Sequence, residues 1–165
     1  MSVPLVTWAN FFLGQLTASA ALAGLLFVSM SVNQSRILSL GRMAERGLEA
    51  LTMLLVVLVI SSLALIPAQT ARTFGGEVLA IGGLELVAVI LLQKIQWPTL
   101  QDEHRSHSLR AFVLSHVAAW IIIVSGAILL VRGDWSGLYA LPLGVLFCFV
   151  TAGVNAWVLL IEINR

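Results

Sequence analysis

The side chain in this sequence most suggestive of chemistry is Glu85, a carboxylate in the otherwise apolar run GGLELVAVILLQK at residues 82–94. Glu77 precedes it by about two helical turns, and His116 enters the next apolar run at a comparable depth. An ionised acid at the centre of a membrane helix costs roughly 2.5–3.5 kcal/mol, so Glu85 must be protonated, paired or hydrated. A contact between Glu85 and His116 would exchange a proton near neutral pH, because histidine titrates there.

Further polar residues support two interpretations, and the sequence leaves both open. Asn155 shares a face of the last apolar run with Cys148 and Thr151. A series of acids, amides and a histidine across a membrane is typical of a cation or proton route. The same residues are equally consistent with a structural polar clasp between helices. Acids near the ends of apolar runs can reach water or pair with nearby arginines; these are Glu49 with Arg46, Glu77 with Arg72 and Glu162 with Arg165.

The composition of the chain identifies its solvent as a lipid bilayer. Of 165 residues, 59% are hydrophobic and 10% are charged, against about 25% charged in soluble domains. The net charge of +1 comes with no basic patch, so no nucleic-acid partner is expected. Cys148 is the single cysteine, which excludes an internal disulfide or a CxxC site and favours a packing role.

Five apolar runs predict an all-α polytopic protein that forms one transmembrane domain over residues 1–165. At about 1.5 Å rise per residue, even the shortest run reaches about 27 Å, close to the thickness of a hydrocarbon core. The first run has no Lys or Arg before it and is too long for the core of a signal peptide, so we expect a retained anchor. The predicted spans are 8–33, 47–67, 76–93, 111–131 and 137–161.

The distribution of basic residues predicts the orientation. Lys and Arg concentrate in cytoplasmic segments, so the side of a five-span protein that holds more of them is the inner one. This places the N-terminus outside and the C-terminus in the cytoplasm. One side holds seven such residues, Arg36, Arg42, Arg46, Lys94, Arg105, Arg110 and Arg165, and the other holds Arg72 and Arg132.

Small residues recur on faces of several runs, and such faces let membrane helices approach closely. Their number exceeds what five helices of one chain obviously need, so we expect a homo-oligomer as well as internal seams. The predicted packing residues are Gly14, Ala21 and Gly24 in the first run, Gly76 and Ala80 in the third, and Ala119 and Gly126 in the fourth.

Other motifs carry less weight. The segment DEHRSHS, residues 102–108, places His104 and His107 three residues apart, a spacing that can hold a metal. It lies in a charged connector without supporting ligands, so a solvated turn is the preferred interpretation. No phosphate-binding loop, metalloprotease motif or Ser–His–Asp arrangement is visible, and we expect neither a cofactor nor an enzyme.

Three segments of the first half, LAGLLFVSMSVNQSRIL, MAERGLEALTMLL and SLALIPAQ, resemble a group of small bacterial integral membrane proteins. The resemblance implies five spans and a location in the bacterial inner membrane, and it transfers no catalytic residue. Some members carry automatic labels as modulators of a membrane-bound ATP-dependent protease. The matching residues are Ser31, Asn33, Arg36, Glu49, Pro67 and Gln69.

Together these observations predict a small oligomeric membrane protein that conducts or transports ions or protons. In that interpretation Glu85 and His116 act at the midplane, Glu77 at the outer mouth and Asn155 opposite. The alternative is a membrane-embedded accessory or regulatory protein that does not transport and instead binds another membrane protein through its small-residue faces.

Overall fold

The computed structural model describes residues 5–39, 43–96 and 105–163, and every regular element in these ranges is helical. Five helices are long and apolar enough to cross a membrane, which confirms the predicted all-α class and the five apolar runs. The long helices are α1 (Ala9–Val32), α3 (Met43–Ala64), α4 (Ala71–Gln96), α5 (Arg105–Arg132) and α6 (Leu141–Ile163). Short elements are α2 (Gln34–Ser39) and two 3-10 turns, Leu5–Trp8 and Trp135–Tyr139.

The helix ends differ from the edges of the apolar runs for local reasons. Helix α3, which corresponds to the second apolar run, ends at Ala64 rather than at 67. Pro67 follows, and a residue before proline avoids the helical region. Ala68 then adopts φ 60°, in the left-handed region, and turns the chain toward α4. Helix α5, which corresponds to the fourth apolar run, begins at Arg105, before the predicted edge at 111. The polar residues at its start mark where the hydrocarbon core ends, and the helix continues past that point.

Four of the long helices form a closed ring. Helix α3 packs against α4, α4 against α5, α5 against α6, and α6 returns to α3, while α1 lies on the outer side of α3. One end of the bundle holds a continuous series of aromatic ring contacts, and we call it the aromatic end. The contacts are edge-to-face or tilted, and the rings include Trp8, Phe12, Phe74 and Trp135. The opposite end carries Arg46 and Lys94, and we call it the basic end.

Glycines set the contact between α4 and α5. A Cβ at Gly75 would lie 2.5 Å from the Leu130 backbone nitrogen, and one at Gly126 would lie 2.6 Å from the Leu79 backbone nitrogen. Gly82 faces Ile122 in the same way. The two backbones therefore approach more closely than any side chain at these positions would allow.

This seam corrects the predicted face of the third run. Ala80 is exposed, and a Cβ on Gly83 would meet nothing within 4 Å; on Gly76 it would meet a side-chain atom of Leu130 at 3.9 Å. The contact face lies one residue earlier, on Gly75 and Gly82. The glycines occur as the pairs 75–76 and 82–83, so the sequence does not determine which member of each pair faces α5.

The predicted face of the fourth run is buried as expected of a packing surface. Ala119 and Ile122 are fully buried, and Gly126 forms the centre of the seam with α4. At the aromatic end of the same helix, the Ser125 hydroxyl donates a 2.7 Å hydrogen bond to the Gly137 carbonyl. That bond ties α5 to the turn before α6.

Helix α1 uses a different face from the one predicted. Its buried residues are Phe12, Ser19 and Leu26, seven residues apart, which gives a single stripe against the bundle. The small-residue face, with Gly14, Ala21 and Gly24 among its members, is exposed, and a Cβ on either glycine would meet no atom within 4 Å. These three residues therefore lie on the exposed side of α1, away from its buried stripe.

We predict that Gly126→Ala destabilises the protein by about 1–3 kcal/mol, the usual cost of overpacking a well-packed site. The added methyl group would meet backbone atoms of Leu79 and Gly75, which cannot rotate away. Gly83→Ala is the matched control, because its methyl group would enter open space and alanine favours a helix. Denaturant unfolding in detergent micelles, followed by circular dichroism, measures both changes. Equal effects of the two substitutions would refute this account of the seam.

Candidate functional site

Glu85 lies in the middle of α4 and points into the bundle. Its side chain is 1% exposed. The Cys148 thiol on α6 donates a hydrogen bond to the carboxyl oxygen Oε1 across 3.4 Å, and the second oxygen, Oε2, is buried without a hydrogen-bond partner. A carboxyl group thus reaches across the ring of helices with one of its two oxygens satisfied by a weak donor.

The predicted contact between Glu85 and His116 is not formed. The His116 ring nitrogen Nδ1 lies 2.8 Å from the Phe112 carbonyl of its own helix, and the ring is partly exposed. Six residues separate His116 from Ile122, which faces α4 and α6, and six residues turn a helix by about 240°. His116 therefore points about 120° away from that contact. The predicted approach of the two side chains is therefore wrong, because the rotation of α5 about its axis points the His116 ring elsewhere.

A second polar cluster lies toward the basic end, and we call it the polar layer: Glu49 of α3, Gln93 of α4 and Ser115 of α5. The Gln93 amide donates to Glu49 Oε1 across 3.3 Å and to the Ser115 hydroxyl across 2.9 Å. The Ser115 hydroxyl donates a hydrogen bond to the Phe112 carbonyl across 3.0 Å. All three side chains of the polar layer are buried. Glu49 is thus enclosed by protein, so the option that it reaches water is wrong, whereas its pairing with Arg46 stays a prediction.

Helix α6 connects the level of Glu85 with the level of the polar layer. Cys148, Thr151 and Asn155 follow one another toward the basic end on a buried face. Thr151 donates a 2.8 Å hydrogen bond to the Phe147 carbonyl, and the Asn155 amide nitrogen is buried without a hydrogen-bond partner. The seven residues from Cys148 to Asn155 cover about 10 Å along the helix, so polar groups occur at each turn over this half of the bundle.

Most of the interior on the aromatic side of Glu85 is apolar, although Ser61 of α3 and Ser125 of α5 are also fully buried there. We call the fully buried apolar side chains within about two turns of Glu85 on this side the apolar layer. Glu77 lies beyond this layer, about 12 Å along α4 from Glu85, and it is partly buried. The Gln69 amide donates to it across 2.7 Å, so its partner is Gln69 and not Arg72. The apolar layer consists of Ile60, Val78, Ile122, Leu141 and Val145.

Glu85 also lines a groove of about 310 Å³ between α3 and α4. The walls of this groove are aliphatic, and Leu55 and Leu84 on its rim are 50% and 70% exposed. Its one other polar lining residue is Thr52, whose hydroxyl donates to the Leu48 carbonyl. The groove therefore opens on the side of the bundle and reaches a carboxyl group at its base.

The charge around Glu85 is not balanced by any lysine or arginine of this chain. The sequence has none between residues 73 and 93, between 111 and 131, or between 133 and 164. Outside the long helices, the pKa of Asp134 lies below its ordinary value because the Ser136 side chain and backbone donate hydrogen bonds to it.

Metal coordination finds no support in the described ranges, where no group of three or more His, Cys, Asp or Glu side chains is placed to hold an ion. Asp102, Glu103 and His104 of the DEHRSHS segment lie outside the described residues.

Gln93, Ser115 and Cys148 belong to the site but were not assigned to it from the sequence. Gln93 was placed at the end of a span beside Lys94, and Cys148 was interpreted as a packing residue. A signal for Gln93 exists, because Glu77, Glu85 and Gln93 recur every eight residues along α4 and so place a polar group at each third of the helix.

No protein-family model, curated protein or solved structure matches this chain.

Proposed function

We propose that this chain is a multi-pass protein of the bacterial inner membrane with its aromatic end outside and its basic end in the cytoplasm. The bias of seven basic residues against two supports that orientation, although Arg42 and Arg165 of that count lie outside the described residues. The bacterial inner membrane is supported by the resemblance of its first half to small membrane proteins of bacteria.

This orientation predicts the accessibility of single cysteines introduced in a Cys148→Ser background. Ser136→Cys, exposed at the aromatic end, should react with a membrane-impermeant maleimide on intact spheroplasts. Ser39→Cys, exposed at the end of α2 at the basic end, should react only after the membrane is opened. The reverse pattern would overturn the proposed orientation.

We propose that the protein moves protons or small cations across this membrane, with Glu85 as the group that binds and releases them. The observation that carries the proposal is the Glu85 carboxyl itself, 1% exposed in mid-bundle, with one oxygen lacking a hydrogen-bond partner and no basic residue at its depth. Such a group must take up a proton or a cation to remain in hydrocarbon. Transport requires that it also release what it binds.

The polar half of the bundle supports exchange between Glu85 and the cytoplasm. Cys148, Thr151 and Asn155 offer polar atoms at successive turns, and the Asn155 amide nitrogen, which lacks a hydrogen-bond partner, can donate to a water molecule. His116 is proposed to exchange protons separately, near the cytoplasmic face, because no contact joins it to Glu85.

The apolar layer supports a transport cycle rather than a permanently open pore. It lies between Glu85 and the Glu77–Gln69 pair at the outer mouth, where the buried polar side chains Ser61 and Ser125 carry hydroxyl groups and no charge. Helices must shift before Glu85 meets the outside, as alternating access requires.

We predict that Glu85→Gln abolishes flux through proteoliposomes, because an amide of the same size neither ionises nor releases a proton. Glu85→Asp is the matched control, since it keeps the acid and shortens the side chain, and it should retain a measurable part of the flux. A pH-sensitive dye inside the vesicles reports proton movement, and size-exclusion chromatography reports intact folding. Unchanged flux in Glu85→Gln would refute the proposal.

The exposed face of α1 favours a second candidate function, in which the chain associates with membrane proteins and transports nothing. Gly14, Ala21 and Gly24 leave room for a neighbouring helix to approach the α1 backbone, and such faces drive helix association in membranes. A second copy of the chain, which gives the expected homo-oligomer, and another membrane protein both fit this face.

Cysteine cross-linking tests the use of this face. In a Cys148→Ser background, Gly14→Cys should form disulfide-linked chains in the membrane when oxidised. Leu143→Cys, equally lipid-facing on α6 at 56% exposure, is the control and should remain uncross-linked. Capture of a stoichiometric partner at Gly14→Cys, together with absent proton flux, would favour the accessory function. Equal cross-linking at both positions would show random collision and remove the role of α1.

A further inference from the structure

We propose that the groove between α3 and α4 binds a hydrophobic ammonium ion, a molecule with an apolar body and a positively charged N–H group, through Glu85. The inference rests on the proposed function, because it names the molecule that would exchange with protons on this carboxyl. Three observations lead to it: an unsatisfied acceptor, a missing positive charge, and the shape of the groove.

The unsatisfied acceptor is Glu85 Oε2, which is buried without a hydrogen-bond partner. A buried acceptor left unpaired costs about 1–3 kcal/mol, and the groove itself offers no donor to remove that cost. Thr52, the other polar residue of its lining, gives its hydrogen to the Leu48 carbonyl. A molecule in the groove, which Glu85 lines, can supply the donor that this lining lacks.

The missing charge defines the kind of donor. The groups that face Glu85 are the Cys148 thiol from α6 and aliphatic side chains of α3, and the His116 ring on α5 bonds within its own helix. A bare metal ion would need several oxygen or nitrogen ligands, and no such cluster exists among the described residues. One carboxyl group in apolar surroundings fits a single organic cation, which carries its own apolar surface.

The shape of the groove defines the rest of the molecule. Its volume of about 310 Å³ lies at the lower end of the range for small-molecule sites. Leu55, Val59 and Leu84 are exposed on its rim, so it opens toward hydrocarbon rather than toward either end of the bundle. An amine with one alkyl chain can enter sideways, leave its chain against this rim and place its N–H group on Glu85.

Binding is an exchange of one cation for another. When Glu85 holds a proton, the incoming ammonium ion forms an ion pair with the carboxylate and the displaced proton leaves, so charge is conserved at the site. Proton and ammonium ion cannot both occupy the carboxylate, which couples the movement of one to the movement of the other.

Equilibrium dialysis of radiolabelled decylamine, which is protonated at neutral pH, tests the inference on the full chain in lipid nanodiscs. Empty nanodiscs supply the background from lipid partitioning. We expect saturable binding of one molecule per chain, and at least about tenfold weaker binding of decanol, which lacks the charge, and of decyltrimethylammonium, which lacks the N–H group. Equal binding of all three probes would mean that hydrophobic partitioning alone is measured, and it would overturn the inference.

Three substitutions locate the binding. Glu85→Gln should weaken decylamine binding by at least about tenfold, and Ala88→Phe should do the same by filling the groove. Leu91→Phe is the matched control, because Leu91 is 55% exposed on the same helix outside the groove lining and should leave binding unchanged. Thr52→Leu replaces Ala88→Phe if the latter fails to fold. Wild-type affinity in Glu85→Gln, or in the folded groove-filling variant, would refute the site.

The result of the decylamine binding experiment can be distinguished from the result of the proton flux experiment. Proton flux that depends on Glu85 without saturable decylamine binding would refute the ammonium site and leave proton transport standing. Saturable binding that depends on Glu85, without flux of protons or decylamine in proteoliposomes, would refute transport and leave a binding site in the groove.

Discussion

A carboxyl group enclosed by apolar helices must be neutralised or hydrogen-bonded, and this constraint applies to Glu85 at the centre of the bundle. The Cys148 thiol satisfies one oxygen across the ring of helices, and a thiol is a weak donor. The other oxygen has no hydrogen-bond partner among the described residues. The site therefore carries an energetic cost that the described side chains do not remove.

The glycine seam between α4 and α5 determines where this carboxyl points. Gly75, Gly82 and Gly126 bring the two backbones into contact and so fix the rotation of α4 about its axis. With that rotation, Glu85 faces the interior and Gln93, eight residues further, joins the polar layer. A polar residue and the glycine that orients it thus act as one unit, although they contact different helices.

The sequence predicted the helices well and their rotation poorly, for physical reasons. Long apolar runs identify five helices, because a hydrocarbon core admits little else. The side of α4 that packs is ambiguous, because Gly75–Gly76 and Gly82–Gly83 each offer two adjacent residues. The Glu85–His116 contact failed for the same reason: depth follows from counting residues, whereas rotation depends on neighbours that only the folded bundle reveals. The position of Glu49 near a helix end suggested access to water, whereas in the bundle Glu49 is buried and accepts a hydrogen bond from Gln93 of α4.

The lateral opening of the groove determines which ligand concentration sets its occupancy. A solute that reaches Glu85 between α3 and α4 does so from the acyl chains, so occupancy follows its dissolved concentration within the lipid phase and not its level in the aqueous medium. Lengthening the alkyl tail would then tighten the apparent dissociation constant through partitioning alone, with every contact at the carboxylate unchanged.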